Sequence, residues 1–134
     1  MSTKNFLTEP LKVVIAEDDH AIRSMFAYKL RLEGYEVIEA ENGKQGLTLT
    51  ELQKPDLILL DLKMPEMNGD EMLAKLRGND WGASIRVIVL TNLNKSEAPS
   101  SLRFLNVDRY VVKAHYTPAQ IVEIVNDVLQ RTPV

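Results

Sequence analysis

Four of the five apolar runs along the chain stop at residues with chemistry to offer. Val13-Val14-Ile15-Ala16 ends in Glu17-Asp18-Asp19, and Leu57-Ile58-Leu59-Leu60 ends in Asp61. Val87-Ile88-Val89-Leu90 ends in Thr91, and Tyr110-Val111-Val112 ends in Lys113. If folding gathers these ends, the carboxylates of Glu17, Asp18 and Asp61 repel one another and require a positive charge to offset them. A hard divalent cation that takes oxygen ligands and keeps several waters, Mg²⁺ or Mn²⁺, is the simplest answer. Asp61 would then serve as a nucleophile toward a phosphoryl group, with the cation offsetting charge on the transferred oxygens. Lys113 supplies a point charge and Thr91 a hydroxyl, both suited to phosphoryl oxygens.

The intervening segments supply the elements that must position these residues. Each short continuous apolar run suits a strand buried on both faces. Ile22, Met25, Phe26 and Leu30 recur at helical spacing before Gly34, and Asp19 is placed to cap that helix. A further strand is expected over residues 35–40, then a turn at Asn42-Gly43 and a helix carrying Leu47, Leu49 and Leu52 up to Pro55. Met72, Leu73 and Leu76 outline the next helix. Within residues 92–106, Pro99 suits only the first turn of a helix, so a short one is expected over 97–104. In the last helix Thr117 is the candidate N-cap, with Pro118 at the first helical position and Gln120 completing a capping box. Five strands alternating with five helices predict an α/β fold with a parallel sheet covered on both faces. All strand C-termini then share one edge, where residues distant in sequence meet.

Bulk properties narrow the function classes. The 134 residues suit one domain, and 45% hydrophobic with 26% charged composition is globular. A formal net charge of −3 offers no general attraction to nucleic acid, so direct DNA binding is not expected. No cysteine is present, which excludes disulfides and thiolate metal sites and fits a cytoplasmic protein. No apolar stretch approaches bilayer length, and residues 1–10 lack the apolar core of a signal peptide, so membrane association and export are not expected. The expected division is a flexible segment over residues 1–10 and one domain over 11–131.

From about Leu11 to Gln130 the chain resembles the receiver domain of two-component response regulators, including the stand-alone chemotaxis type. Glu17-Asp18 matches the family's acidic pair. Asp61-Leu62-Lys63-Met64-Pro65-Glu66-Met67-Asn68-Gly69 matches the stretch following its phosphoacceptor aspartate. Thr91, Lys113 and Tyr110 fall where the family has its switch hydroxyl, its lysine and its switch aromatic. The resemblance implies a flavodoxin-like strand order 2-1-3-4-5. It also implies phosphorylation of Asp61 by a histidine kinase or histidine phosphotransfer protein. Metal contacts would come from Asp18, Asp61 and the Lys63 backbone carbonyl, with Glu17 acting through water. On phosphorylation Thr91 would move toward the phosphoryl group and Tyr110 would turn inward, remodelling the face of the fourth helix, fifth strand and fifth helix for a downstream protein target.

Two positions depart from the family pattern. Asn92 replaces the usual small residue beside the switch hydroxyl, where its amide would crowd the phosphoryl pocket or add a donor. Ala114 replaces the usual proline after the lysine; because a cis bond before alanine costs about 2.5–4 kcal/mol, Lys113–Ala114 is expected to be trans. His20 and His115 read as surface histidines, because no second ligand stands at metal spacing. Trp81 is assigned no function. Val122 and Leu129 widen the apolar stripe of the last helix, through deeper burial or as a homodimer or partner surface.

Other functions fit less well. A metal-dependent phosphatase of the haloacid dehalogenase type would carry a second aspartate two residues after the first, where this chain has Lys63. A partner-binding receiver without phosphorylation is opposed by intact Glu17, Asp18, Asp61, Thr91 and Lys113. A nucleotide or flavin site is disfavoured by the acidic loop after the first strand, which would repel phosphates. No output domain follows in these residues, so output is expected through protein contact or further phosphotransfer.

Overall fold

A computed structural model describes residues 9–130. Of the expected flexible segment only Glu9 and Pro10 fall within them, both exposed; the rest of residues 1–10, and residue 131, lie outside the described residues. The strands are β1 (Lys12–Ala16), β2 (Glu36–Ala40), β3 (Leu57–Leu60), β4 (Arg86–Thr91) and β5 (Arg109–Val112). They form one parallel sheet in the order β2-β1-β3-β4-β5, as the resemblance implies. The helices are α1 (His20–Leu32), α2 (Gly43–Gln53), α3 (Gly69–Arg77) and α4 (Pro118–Val128).

The continuous apolar runs have a direct structural cause. Alternate strand residues Val13, Ile15, Leu57, Leu59, Ile88, Leu90 and Val111 face one core, shared with Phe26, Ala27 and Leu30 of α1 and with α4. Their neighbours Val14, Ala16, Ile58, Leu60, Val87 and Val89 face the other, with Met72, Leu73 and Leu76 of α3. Both faces are covered, so neither parity of residue can be polar.

α1 begins where Asp19 accepts from the Ile22 amide at 3.0 Å. Asn42 caps α2 through Gln45 N at 2.7 Å. The Thr117 capping box with Gln120, and Pro118 at the start of α4, are present as expected. Among the expected apolar positions of α2, Leu52 is instead exposed. Val122 is buried and Leu129 packs on the core, so the width of the α4 stripe is taken up by depth of burial.

The helix expected over 97–104 does not form, and four α-helices rather than five are present among the described residues. Two 3-10 turns, Lys95–Glu97 and Ser100–Phe104, occupy the segment. The reason is local. Ala98, forced away from helical geometry by the following proline, is extended at ψ 149°, and Pro99 serves as the cap of the second turn rather than lying inside a helix.

Candidate functional site

The carboxyl edge of the sheet brings together the residues singled out by their strand-end positions. Leu60 stands opposite Val89 and Thr91 opposite Val112, so Asp61, Thr91 and Lys113 leave adjacent strands at one edge. On the other side of β3, β1 delivers Glu17 and Asp18, next to the switch point where successive connections depart in opposite directions.

Carboxylate oxygens of Glu17, Asp18 and Asp61 lie within 4.8 Å of one another. Glu17 and Asp61 are buried, whereas Asp18 is exposed. Asp61 accepts from its neighbour's amide, Leu62 N, at 2.7 Å through Oδ1 and from Lys113 Nζ at 3.2 Å through Oδ2. The Lys113 ammonium also donates to Glu17 Oε1 in a close ion pair. Glu17 Oε2 accepts from Asp19 N at 3.1 Å, so the residue that caps α1 also steadies Glu17.

Burial pushes the Glu17 carboxyl above its usual value of 4.5; the Lys113 hydrogen bond and the Asp19 amide offset this only in part, and the Asp61 charge adds to it. For Lys113 burial acts to depress the ammonium, but the Glu17 hydrogen bond and the Asp61 and Glu17 charges outweigh it and raise its pKa. The donor set fits a hard divalent cation: oxygen ligands only, two held by protein hydrogen bonds and one open to water. Lys63, next in line on the loop, is exposed, and its carbonyl accepts no hydrogen bond from the described residues.

A metal-dependent pH effect follows. A carboxyl raised in the folded state binds protons more readily there than in the unfolded chain. Without metal, stability therefore falls as pH rises from 4.5 through the raised value. Mg²⁺ held at this cluster would reverse that sign, because it would favour the carboxylate. The Mg²⁺-induced gain in melting temperature is expected to shrink on acidification from a pH above 4.5, measured by thermal scans with and without Mg²⁺. A gain that stays constant down to pH 4.5 would contradict this reading of Glu17.

The loop after β3 is shaped by backbone crowding. A Cβ on Gly69 would stand 2.1 Å from the Asp61 carbonyl oxygen, so only glycine lets α3 start so close behind that residue. The Gly69 amide closes the loop onto Leu62 O at 2.9 Å.

Thr91 is buried, and its hydroxyl accepts only a long contact, 3.5 Å, from Leu93 N. Tyr110 is half-buried against the second core and donates its hydroxyl to Leu93 O at 2.8 Å. Burial, with the Glu97 and Asp61 charges, raises its pKa. Both residues thus engage the loop that follows β4. Asn92 in that loop is exposed. The Lys113–Ala114 peptide is trans, as expected before alanine, and a 3-10 turn spans Lys113–His115.

His20 and His115 are both exposed, as expected of surface histidines, and His20 Nδ1 lies 3.1 Å from the guanidinium of Arg23. Arg23 was not singled out from the sequence. It falls on the same helical face as Phe26, Ala27 and Leu30 and is buried there. A charge within an apolar stripe was the available signal. Trp81 packs on the second core, with Lys54 Nζ 5.8 Å from its ring centroid.

A parallel sheet in this order, with three carboxylates and a lysine gathered at its carboxyl edge, defines a receiver domain. The chain belongs to the response regulator receiver domain family, whose pattern residues 13–126 match. This family works in two-component signalling, with phosphorylation and Mg²⁺ binding among its general features. The chain is 36% identical over 122 residues to the phosphate regulon transcriptional regulatory protein PhoB of Pseudomonas aeruginosa, a match covering 90% of this chain and 52% of that protein. It is 39% identical over 80 residues to sporulation initiation phosphotransferase F of Bacillus subtilis, covering 60% of this chain and 63% of that protein. The chain thus spans about half the length of several of the curated relatives it matches. Among solved structures, a CheY-like receiver domain protein of Methanospirillum hungatei superposes with a TM-score of 0.83 at 28% identity, covering 91% of this chain and 95% of that one.

Proposed function

We propose that this domain accepts a phosphoryl group on Asp61 from a phosphohistidine of a histidine kinase or histidine phosphotransfer protein and thereby switches a protein-binding surface. The observation that carries the reading is the convergence of Asp61 with Glu17, Asp18 and Lys113, all within bonding or ligating reach. Asp18, Asp61 and the Lys63 carbonyl would hold Mg²⁺ or Mn²⁺ directly and Glu17 through water; the ion supplies charge neutralisation for the transferred oxygens. Asp61 Oδ2 attacks phosphorus, the P–N bond to the donor histidine breaks, and the bonding electrons leave with the imidazole. Lys113, already 3.2 Å from Asp61, turns its ammonium to the new phosphoryl oxygens.

Thr91 and Tyr110 are the switch pair in this reading. Thr91 donates to the phosphoryl group, and the Leu93 loop that Tyr110 holds follows it, releasing the ring inward. The surface so altered is built on the 3-10 turns after β4, on β5 and on α4. A cytoplasmic setting accords with the absence, among the described residues, of a helix long and apolar enough to cross a membrane. A homodimer through α4 is the weaker reading, because Val122 and Leu129 are engaged by the core.

Incubation with Mg²⁺ and a phosphorylated histidine phosphotransfer protein is expected to move labelled phosphate onto this chain, and chelation to prevent it. Once donor is removed, the label is expected to persist for minutes or longer. Lys63 and Leu93 flank the path of water, and neither offers an acidic or amide group to position it. Transfer that survives chelation would sink the metal assignment, and a half-life of seconds would sink the slow-decay reading.

A further inference from the structure

We infer that Arg23 is a positioning residue for the metal site, holding Asp18 in place through the peptide bond that joins it to Glu17. This deepens the receiver reading and rests on it.

The Arg23 side chain is only 9% exposed, and its guanidinium reaches three separate pieces of the fold. Nη1 donates to the Glu17 carbonyl at 2.8 Å, in the turn leaving β1. Nε pairs with Glu39 Oε1 on β2 at 3.3 Å. Nη2 meets His20 Nδ1, at the first turn of α1, at 3.1 Å. Glu39 is itself steadied on its other oxygen by Arg31 at 3.4 Å. A rigid planar fork can satisfy all three directions at once, whereas an ammonium on a flexible stem cannot.

The peptide bond is planar, so a fixed Glu17 carbonyl also fixes the Asp18 N–H and the direction in which the Asp18 side chain leaves. That matters because the three carboxylates are held very differently. Glu17 has Lys113 and the Asp19 amide; Asp61 has Lys113 and the Leu62 amide. The Asp18 carboxylate is exposed and takes no hydrogen bond from the described residues, so its backbone alone orients it. Arg23 is the buried cation that pins that backbone, and its charge behind the turn also offsets carboxylate repulsion.

Isothermal titration of the full chain with Mg²⁺ tests this on wild type, Arg23→Lys and Arg23→Gln. Both variants are expected to bind Mg²⁺ roughly tenfold or more weakly, as for other groups that orient a metal ligand. Saturating Mg²⁺ should restore the acetyl phosphate labelling rate of Arg23→Lys to the wild-type value, because Asp61, Lys113 and Thr91 are untouched. Tyr35→Phe, which removes a buried hydrogen bond to Asn126, serves as the stability control: its urea midpoint should fall while its Mg²⁺ affinity holds. Affinity within twofold of wild type in a folded Arg23 variant overturns the proposal, as does a rate still depressed at saturating Mg²⁺. Should neither Arg23 variant fold, Glu39→Gln decides: it loosens the fork from the half-exposed side, and unchanged affinity there overturns the proposal. Failure of wild type to bind Mg²⁺ would instead overturn the metal site itself and this inference with it.

Discussion

Lys113→Met is expected to destabilise the metal-free protein by about 2–4 kcal/mol while making Mg²⁺ more stabilising than in wild type. The ammonium neutralises two buried carboxylates, Glu17 and Asp61, and its side chain is only 12% exposed. Its loss leaves both acids facing Asp18 with nothing positive between them, which raises the cost of keeping them ionised. Mg²⁺ then meets less opposing charge and relieves more repulsion, so the difference between urea midpoints with and without Mg²⁺ should widen. The phosphorylation rate moves the other way. Without a cation aimed at the transferred oxygens, labelling by a small phosphodonor should slow by roughly 10²–10³-fold. Stability and rate thus separate in one variant. Labelling within tenfold of wild type would show that Lys113 serves only the fold.

Arg77→Ala should be as damaging to stability, through a site with no part in the chemistry. The Arg77 guanidinium at the end of α3 donates to five backbone carbonyls: Gly82 at 2.9 Å, Ala83 at 3.3 Å, Ile85 at 2.8 Å, Leu105 at 2.9 Å and Asn106 at 2.9 Å. These lie on the approaches to β4 and β5, so one side chain ties both strand entrances to the helix beneath them. Charged hydrogen bonds are worth about 1.5–3 kcal/mol each and are not additive, and several of these carbonyls would lose their only partner. A loss of about 3–4 kcal/mol in urea unfolding is expected, with Mg²⁺ affinity in the remaining folded protein unchanged. Arg77→Lys should recover less than half of it, since an ammonium cannot span both approaches. A loss below about 1 kcal/mol for Arg77→Ala would contradict the clamp.

Arg77 and Arg23 also mark the limit of what sequence patterning reveals. Strands were legible because burial on both faces leaves a continuous apolar run, and the site was legible because such runs end where the sheet edge must be. Glu17, Asp18, Asp61 and Lys113 could therefore be grouped before any contact was known. An arginine that satisfies carbonyls dispersed along the chain carries no periodic mark. Arg77 reads as an ordinary basic residue at a helix C-terminus, where its charge also suits the helix dipole. The segment after Thr91 is not legible from the sequence, because Pro99 is compatible with a helix start, yet its effect on Ala98 breaks the segment into two 3-10 turns. The extra width of the α4 stripe could not be assigned from spacing alone, since a deeply buried helix and a helix with a second partner share one pattern.

The central claim is that Asp61 is the phosphoryl acceptor, and intact mass tests it most directly. Wild type and Asp61→Asn are incubated with Mg²⁺ and acetyl phosphate, then weighed by mass spectrometry. Wild type is expected to gain one phosphoryl mass and Asp61→Asn none. Equal gain in both would place the acceptor elsewhere. No gain in wild type, from acetyl phosphate or from a phosphohistidine donor, would contradict the account and leave a receiver fold that binds partners without phosphorylation.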